Sequence, residues 1–537
     1  MTHDALYTAA GLEPSAIVRQ LERLLRFRSR VISPRRVVCL DTFDGRIAAG
    51  GGQLWQVGEG ATARLEWHPR DRRLRVQTSL RTTVSFVWDL PRGTVATQLR
   101  PIVGVRRLFP MVELELNGHT LDVFDDRGKT VARVTITAAR ARRVKRGRWR
   151  AVPTLVTVAG LPGRDEESRH VRALVERRPG LQRSRAGLQA LGLRAVGATL
   201  PPDVSQVGLG LSASLRADRG AVEVHRRLLA VMRANEAGLR DDLDTEFLHD
   251  YRVALRRTRS LLGQLKEVLP AGRVERFRRE FRWLGAVTSP TRDLDVLMLA
   301  LRPVPDDPGG GIPTLRRHIA ERQRRAHRAM VTHLDSPRCR TLFSEWIRFL
   351  EHTSPASPEP AHASRLFADV VSSRAWRLYR RLAEGAAVVT DQSPPTALHQ
   401  IRIAAKKLRY VADLTRGIQE GAAVDNVIAA LKTLQLVLGD YNDTAVHERL
   451  LLDEGRVLVE AHPERAAVLA SIGSLVEQLR ARRASLRPRV LRELRRFCSQ
   501  PVRSEFRHSF KASSKAAAAG VGDRPRRRPP SSRRPRR

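Results

Sequence analysis

The amino-acid sequence predicts an α+β protein in which a β-rich N-terminal third precedes a long all-helical region. Three observations support this fold class. Short apolar segments bounded by Gly, Pro, Asn and Asp turn signals fill roughly the first 160 residues. Helical periodicity dominates from about residue 165 to 498. The helical region also contains an internal repeat, described below.

The N-terminal third contains seven segments that we interpret as strands, because they are short, alternate in hydropathy and end at turn signals such as FDG, PRG, NGH and DRGK. They are RRVVCLDT, ARLEWH, RLRVQTSL, VSFVWDL, MVELELNG, TLDVFDD and TVARVTITAA. A helical pattern follows in EESRHVRALVERR, and TLPPDVSQVGLGLSA is typical of a linker.

The helical region repeats itself at an offset of 150 residues. That shift aligns LHDYRVALRRTRS (248–260) with LHQIRIAAKKLRY (398–410) without a gap. It also aligns FRWLGAVTSPTRDLDV (281–296) with LKTLQLVLGDYNDTAV (431–446). One offset across both pairs predicts two homologous helical bundles in tandem, separated by the Pro/Ser/Glu-rich segment 352–364.

Both repeats place cations on a helix face beside an apolar seam. At 3.6 residues per turn, the seams are Leu248, Tyr251 and Leu255, and Leu398, Ile401, Ala405 and Leu408. About 100° around each helix lie the first basic stripe, His249, Arg252, Arg256 and Arg259, and the second basic stripe, His399, Arg402, Lys406 and Arg409. Like charges four residues apart cost an isolated helix a few tenths of a kcal/mol. Asp413 is the acidic residue near the stripes, beside Arg409. An external anion would therefore relieve the repulsion between the cations. The alternative interpretation is that both stripes are solvated faces of a basic protein.

The overall charge indicates an acidic partner. Lys and Arg number 97 against 56 Asp and Glu, which gives +41. Such a field suits nucleic acid, an anionic membrane or an inorganic polyanion. The last 27 residues hold two Lys, eight Arg and one Asp, a net +9, in a low-complexity segment that we expect to be disordered. The rest of the chain keeps +32, so the tail does not explain the charge.

The three cysteines, Cys39, Cys339 and Cys498, lie far apart and form no CxxC pair, which fits a reducing cytosol. No run of 18 apolar residues occurs, and the N-terminus has no signal-peptide pattern, so we expect a cytoplasmic protein without membrane spans. We expect no cofactor and no bound metal. Asp293, Asp295 and Asp443 are better explained as helix caps or partners of an Arg than as metal ligands.

The paired motifs LHDYRVALRRTRS with TRDLDVL, and LHQIRIAAKKLRY with LKTLQLVLGDYNDTAV, resemble the CHAD domain, the conserved-histidine α-helical domain. The resemblance covers roughly 214–500, with halves at about 214–350 and 364–500. It implies two pseudo-symmetric helical bundles whose basic helices line a cavity, binding of inorganic polyphosphate, and association with polyphosphate granules. Arg suits such a polyanion through bidentate contacts, and Lys acts as a mobile point charge.

We therefore predict a set of polyphosphate-binding residues on and beside the two stripes. The set comprises His249, Arg252, Arg256, Arg257, Arg259, His399, Arg402, Lys406, Lys407 and Arg409. Further basic residues of the predicted helices join it: Arg325, Arg328, Arg377, Arg380, Arg381 and Lys432.

Three N-terminal segments, 37–57, 111–136 and 155–177, resemble the CYTH superfamily, the triphosphate tunnel fold. The resemblance covers roughly 15–200 and implies an antiparallel β-barrel or tunnel-like domain. Active members open with a Glu-x-Glu-x-Lys strand whose carboxylates hold a divalent metal. The corresponding region, 15–31, has Glu22 alone.

Glu113 and Glu115 do alternate in VELEL, but Leu116 and Asn117 follow them and no Lys stands at the required position. Without clustered carboxylates, metal-assisted hydrolysis has nothing to hold its cation. We therefore expect an inactive tunnel-like domain, and a binding protein in place of an enzyme.

Two other functions remain open at this stage. A nucleic-acid binder fits the charge and the Arg/Pro-rich tail, although no helix-turn-helix, zinc-finger or aromatic RNP signature occurs. The second alternative function is that of a tripolyphosphatase of the CYTH type with rearranged carboxylates. No GxSxG, P-loop or HExxH motif is present. The predicted domains are 15–200 (tunnel-like), 201–213 (linker), 214–500 (helical) and 511–537 (disordered tail).

Overall fold

The structure, a computed structural model, divides into two compact units at the boundary between Pro201 and Pro202. This boundary falls in the predicted linker, of which 202–209 lie outside the described residues, as do 512–537 of the predicted tail. The structure describes residues 5–58, 63–69, 76–79, 84–184, 186–201, 210–305, 310–351, 358–416, 418, 422–461 and 466–511.

The N-terminal unit is built on one antiparallel sheet of nine strands, ordered β5-β4-β3-β2-β6-β7-β8-β1-β9. Within the described residues the ladder ends at β5 and β9, so the sheet is not closed into a barrel. The strands are β1 (Ala5–Ala9), β2 (Phe27–Thr42), β3 (Gln53–Val57), β4 (Arg64–His68), β5 (Val76–Ser79), β6 (Leu108–Phe124), β7 (Thr130–Arg143), β8 (Arg146–Gly160) and β9 (Leu181–Arg183). Its helices are α1 (Pro14–Glu22), α2 (Arg46–Ala49), α3 (Thr94–Val103), α4 (Asp165–Glu176) and α5 (Leu188–Ala195).

Two apolar cores lie on opposite faces of this sheet. Adjacent strand residues point to opposite faces, and Leu155 and Val156 of β8 belong to different cores. On one face α1 and α4 contribute Ile17 and Val171, and on the other α5 contributes Leu191. The sheet is therefore covered by helices on both sides.

Three sequence predictions in this unit were wrong. The segment VSFVWDL forms a short 3-10 helix, Val87–Asp89, because the Asp89 carboxylate accepts hydrogen bonds from the backbone N–H groups of Ser85 and Phe86. MVELELNG and TLDVFDD form the single strand β6. The strand β6 continues through the expected turn at Gly118, whose φ is +147°. A Cβ added to Gly118 would lie 2.0 Å from the carbonyl oxygen of Ile136.

The third wrong prediction concerns the region expected to correspond to the opening strand. Residues 15–31 lie mostly in α1 and at the start of β2, and Glu22 ends the helix. The first strand is instead β1, which pairs with β8 and β9.

The C-terminal unit is all-helical, as the sequence predicts. Its first half holds α6 (Ala217–Arg240), α7 (Thr245–Gln264), α8 (Ala271–Val287), α9 (Ser289–Leu301), α10 (Gly311–Leu334) and α11 (Pro337–Glu351). Its second half holds α12 (Phe367–Ala387), α13 (Pro395–Thr415), α14 (Ala422–Ala461), α15 (Ala466–Phe497) and α16 (Gln500–Lys511).

The 150-residue repeat appears as equivalent helices in the two halves. Helices α6 and α12 begin at residues 217 and 367, and α7 and α13 begin at 245 and 395. Helices α8 and α9 correspond to the single 40-residue helix α14. Pro290, at the start of α9, stands where the second half has Asp440, and proline removes a backbone donor. The break between α8 and α9 is therefore confined to the first half.

The folded helical unit extends beyond residue 500, where the sequence placed its end. Helix α16 buries Phe506 and Phe510, with 0% and 2% of their surface exposed. The ring of Phe506 stacks on Tyr379 of α12, with centroids 4.0 Å apart, and meets Phe497 edge-on. These contacts fix α16 against α12.

No helix of the described part of the chain is long and apolar enough to cross a membrane.

Candidate functional site: a cation-lined cavity between α7, α8 and α13

Helices α7 and α13 bury the two apolar seams that the sequence predicts. Leu248, Tyr251 and Leu255 are at most 4% exposed, and Leu398, Ile401, Ala405 and Leu408 are at most 6% exposed. The side chain of Asp244 begins α7 by accepting hydrogen bonds from the N–H groups of Glu246 and Phe247. Proline stands in the first turn of α13, where its missing N–H costs nothing.

The basic stripes beside these seams line two adjoining cavities that share Arg256, Arg259 and Arg282. The smaller, of about 260 Å³, is lined by Arg252, Leu255, Arg256, Arg259, Phe281, Arg282, Gly285, Ala286 and Ser289. The larger, of about 480 Å³, is lined by Arg256, Arg259, Ser260, Gly263, Gln264, Arg278, Arg282, His399, Arg402, Ile403, Lys406, Lys407 and Tyr410. We call the two together the central cavity.

The lining of the central cavity carries eight cationic side chains and one histidine. The cations are Arg252, Arg256, Arg259, Arg278, Arg282, Arg402, Lys406 and Lys407. None of the residues that line either cavity is Asp or Glu. Crowding of like charges on partly buried side chains raises the free energy of the charged forms and favours a bound anion.

Arg252 is held rigidly at the junction of α8 and α9. Its Nη1 donates to the carbonyl oxygen of Gly285 (2.9 Å) and the hydroxyl of Thr288 (2.6 Å), and its Nη2 donates to the hydroxyl of Ser289 (3.1 Å). These acceptors are neutral, so they orient the guanidinium without neutralising it. Burial, and next the charge of Arg256, lower the pKa of Arg252 to about 10.

In the second half, α14 supplies the groups that orient the cavity residues. Nη2 of Arg402 donates to the Asp443 carboxylate over 3.4 Å, and Nδ1 of His399 lies 2.5 Å from the side-chain oxygen of Asn442. Burial lowers the pKa of Arg402, and Asp443 opposes that effect. Asp443 therefore anchors an Arg, as the sequence predicted.

Lys406 is the most perturbed cation of the cavity. Burial is the main cause that lowers its pKa to about 7, and the charges of Arg402 and Arg256 come next. Asp443 raises the pKa, and Arg409 lowers it again. The ammonium is therefore in an environment that disfavours its positive charge, and a nearby anion would restore that charge.

Arg256, Arg282 and Lys407 have no ion-pair partner among the described residues. Arg259 likewise has no ion-pair partner among the described residues. Burial, followed by the charges of Arg282, Arg256 and Arg278, lowers its pKa. These four cavity cations thus repel each other without a carboxylate partner among the described residues.

Arg257, which the sequence places in the binding set, is buried and is not among the residues that line the central cavity. Its side chain is 6% exposed, pairs with Asp413 and lies over the ring of Tyr410, 5.2 Å from the ring centroid. Arg257 therefore joins α7 to α13 inside the protein. Arg409 contacts the same Asp413 and also donates to Gln435 (3.1 Å), so it lies beside the cavity and does not line it.

Several other predicted residues do not line the central cavity. His249 is half-buried on α7, one turn before Arg252. The exposed residues on other helices are Arg325 and Arg328 on α10, Arg377, Arg380 and Arg381 on α12, and Lys432 on α14. Of the predicted set, the structure brings together Arg252, Arg256, Arg259, His399, Arg402, Lys406 and Lys407.

Sequence reasoning missed Arg278 and Arg282 of α8. The repeat contained a signal for one of them, because Arg282 aligns with Lys432, yet only Lys432 was included in the predicted set. Arg278 packs against Gly263, whose missing Cβ would lie 3.3 Å from the guanidinium. That close approach depends on the packing of α8 on α7.

Asp295 of α9 has a structural role in its described surroundings. Asp295 is 2% exposed and accepts a hydrogen bond from Gln323 over 3.0 Å. Burial raises the pKa of Asp295 to about 7. The described residues contain no group of three His, Cys, Asp or Glu side chains placed to hold a metal ion.

In the N-terminal unit the alternating carboxylates of β6 are held by arginines. Glu113 accepts two hydrogen bonds of 2.8 Å from Arg142, and Glu115 pairs with Arg36 over 3.4 Å. The opening strand β1, ALYTA, carries no acidic residue. These carboxylates are engaged in cross-strand ion pairs.

Comparison with known proteins identifies the helical region. The family model of the CHAD domain matches residues 223–452. Two uncharacterized proteins of Mycobacterium tuberculosis, from strains CDC 1551 and H37Rv, are each 29% identical over 221 residues. The match covers 38% of this chain and 40% of each relative, so this chain spans less than half of their length.

Two solved structures are similar to about half of this chain. The crystal structure of the CHAD domain from the plant Ricinus communis is 26% identical, with a TM-score of 0.45, and the match covers 53% of this chain and 94% of that one. PptA from Streptomyces chartreusis is 16% identical, with a TM-score of 0.40, and the match covers 52% and 99%.

Proposed function

Because residues 223–452 of this chain form a CHAD domain, we propose that the protein binds inorganic polyphosphate in the central cavity. The observation that carries the proposal is the lining of eight cations with no Asp or Glu among the lining residues. Polyphosphate carries about one negative charge per phosphate along a flexible chain. A bound chain would therefore remove the repulsion between these cations at several points at once.

The aromatic content of the cavity favours polyphosphate over nucleic acid. Proteins that bind single-stranded nucleic acid combine cations with exposed aromatic rings on which bases stack. The aromatic lining residues are Phe281 and Tyr410, which are 0% and 9% exposed. Arg257 also lies over the ring of Tyr410. Neither ring offers an open face to a base.

The experiment that tests the proposal is a comparison of two variants of equal net charge. The cavity variant carries Arg256→Ala, Arg282→Ala and Lys407→Ala. The control variant carries Arg317→Ala and Arg324→Ala on α10 and Arg340→Ala on α11, three exposed arginines outside the predicted binding set. Affinity for long-chain polyphosphate is measured at low and high salt, because all polyanion binding weakens with salt.

We expect the cavity variant to lose affinity at least tenfold at high salt, because each lost charge-assisted contact contributes on the order of 1.5 kcal/mol. The control variant should stay within about threefold of the parent. Duplex DNA and single-stranded RNA serve as competitors. Equal losses in the two variants, or nucleic acid competing as well as polyphosphate at high salt, would refute the proposal.

We propose further that the N-terminal unit does not hydrolyse tripolyphosphate. The support is that Glu113 and Glu115 are paired with arginines and that β1 has no acidic residue. A divalent cation would have to displace Arg142 from Glu113 to bind there. Phosphate release from tripolyphosphate is measured with Mg²⁺ and with Mn²⁺, and turnover with either metal contradicts this proposal.

We also infer that the protein associates with polyphosphate granules. This inference depends on the cavity, so the cavity variant should redistribute in cells that hold granules while the control variant should not. Fluorescence microscopy of the two variants beside a polyphosphate stain tests it. Identical distributions would exclude a cavity-based association.

A further inference from the structure

Gln264, in the last turn of α7, lines the central cavity. Arg374 of α12 reaches that residue: its Nε and Nη2 donate to the side-chain oxygen of Gln264, over 3.2 and 2.7 Å. The sequence analysis did not select Arg374, and Arg374 is not among the residues that line the cavity. Its guanidinium therefore contacts a residue of the cavity lining from outside the lining itself.

Two more arginines follow on the same face of α12. Arg377 and Arg381 lie three and seven residues after Arg374, which places the three side chains on one side of the helix over about 10 Å. Both are exposed. We call Arg374, Arg377 and Arg381 the α12 track.

The α12 track has no carboxylate partner among the described residues. Arg377 donates to the backbone oxygen of Ser373, and the nearby Glu384 pairs with Arg380. Burial, followed by the charges of Arg377 and Arg381, lowers the pKa of Arg374. The three arginines therefore repel one another just as the cavity cations do.

The aligned positions in the first half of the helical unit do not form an equivalent of the α12 track. At the 150-residue offset, Gln264 corresponds to Leu414, and Arg374 and Arg381 correspond to Val224 and Val231. All three apolar residues are at most 1% exposed. Arg377 corresponds to Arg227, which is paired with Glu223 over 2.8 Å. The pseudo-symmetry of the two bundles is thus broken at this place.

We propose that a polyphosphate chain held in the central cavity leaves it past Gln264 and continues along the α12 track. This inference rests on the proposed function of the cavity. It assigns the α12 track to a subsite that only chains longer than the cavity reach. The track thereby makes affinity depend on chain length.

The test measures a short polyphosphate that fits within the cavity and a long-chain polyphosphate against the full-length protein. The variants are Arg374→Gln with Arg377→Ala and Arg381→Ala, and a second one with Arg377→Ala and Arg381→Ala alone, which leaves the contact with Gln264 intact. The control variant on α10 and α11, Arg317→Ala with Arg324→Ala and Arg340→Ala, removes three charges outside the predicted binding set.

We expect the triple variant to lose at least tenfold in affinity for the long chain and less than twofold for the short one. By analogy with nucleic acids, each lost phosphate contact lowers the log–log salt slope by about 0.7–0.9, so three contacts lower it by about 2 to 3 for the long chain. The double variant should show about two thirds of that change in slope. The control variant should leave both chains unchanged.

Equal losses for the short and the long chain would overturn the inference, because the arginines would then act on the cavity through their general field. A loss in the control variant equal to that in the triple variant would overturn it too. If neither chain depends on the cavity residues Arg256, Arg282 and Lys407, the proposed function fails first and the inference fails with it.

Discussion

Lys406 makes a quantitative prediction about the pH dependence of polyphosphate binding. Its pKa is about 7 in the protein without ligand, so about a tenth of the side chains carry a proton at pH 8. Phosphate oxygens beside the amine favour the charged form, so binding raises the pKa and takes up a proton. Affinity is then greatest below pH 7 and falls as the pH rises through that value.

The size of this pH effect on affinity follows from the fraction of Lys406 side chains that must gain a proton on binding. Restoring the charge at pH 8 costs about 1.4 kcal/mol, which is about a tenfold weaker affinity than at pH 6. The charged groups around Lys406 are Arg402 and Arg409 on α13, Arg256 on α7 and Asp443 on α14. The Arg groups stay protonated throughout this range of pH.

The assay is calorimetry with long-chain polyphosphate at pH 6 and pH 8, in two buffers of different ionisation enthalpy. We expect uptake of about 0.9 proton per occupied cavity at pH 8. Lys406→Arg keeps the charge at both values, so it should reduce the pH dependence to less than about twofold. His399 also lines the cavity, so both proteins are compared again with His399→Gln.

The reasoning is refuted if the parent takes up no proton at pH 8, or if Lys406→Arg keeps the full tenfold dependence. Long chains are used because their few terminal phosphates, whose second pKa lies near 6, then contribute little to the proton balance.

The remaining predictions concern stability. Asp413→Ala removes the carboxylate that pairs with the buried Arg257 and should lower the free energy of unfolding by about 3–5 kcal/mol, measured by denaturant unfolding, with most of the loss recovered by adding Arg257→Met. Phe506→Ala should cost about 3–5 kcal/mol, because the ring is fully buried against Tyr379; a loss below about 1 kcal/mol would show that α16 is not part of the unit. Gly118→Ala should lower the Tm of the N-terminal unit in calorimetry, because the alanine Cβ would clash with the carbonyl oxygen of Ile136. An unchanged Tm would show that this clash does not strain the strand.

The helical unit could be predicted in detail because its signals are local or periodic. The seams Leu248–Leu255 and Leu398–Leu408 are fixed by the 3.6-residue repeat, and the 150-residue offset placed the two copies. The difference between Arg256 and Arg257 was not accessible in the same way. They are 100° apart on α7, and only the position of α13 decides that Arg257 meets Asp413 while Arg256 faces the cavity.

The parts that the sequence analysis missed depend on contacts between distant segments. The strand β1 has only five residues and is identified by its pairing with β8, some 150 positions later. The place of Arg278 in the cavity depends on the packing of α8 against Gly263. Such contacts leave no pattern in the neighbouring sequence.

The central claim, that polyphosphate occupies the cavity, is tested most directly by lysine footprinting. At pH 8 a pKa of about 7 leaves Lys406 mostly neutral, so it should react rapidly with an acylating reagent in the free protein. Mass spectrometry compares Lys406 and Lys407 with Lys129, which is exposed in the N-terminal unit and outside the predicted binding set.

Our account predicts that polyphosphate suppresses acylation of Lys406 and Lys407 at least tenfold, since it both covers the amines and restores the proton on Lys406. Lys129 should change by less than twofold. Unchanged acylation of Lys406 and Lys407 at a polyphosphate concentration that saturates binding would show that the chain binds elsewhere and would contradict the account.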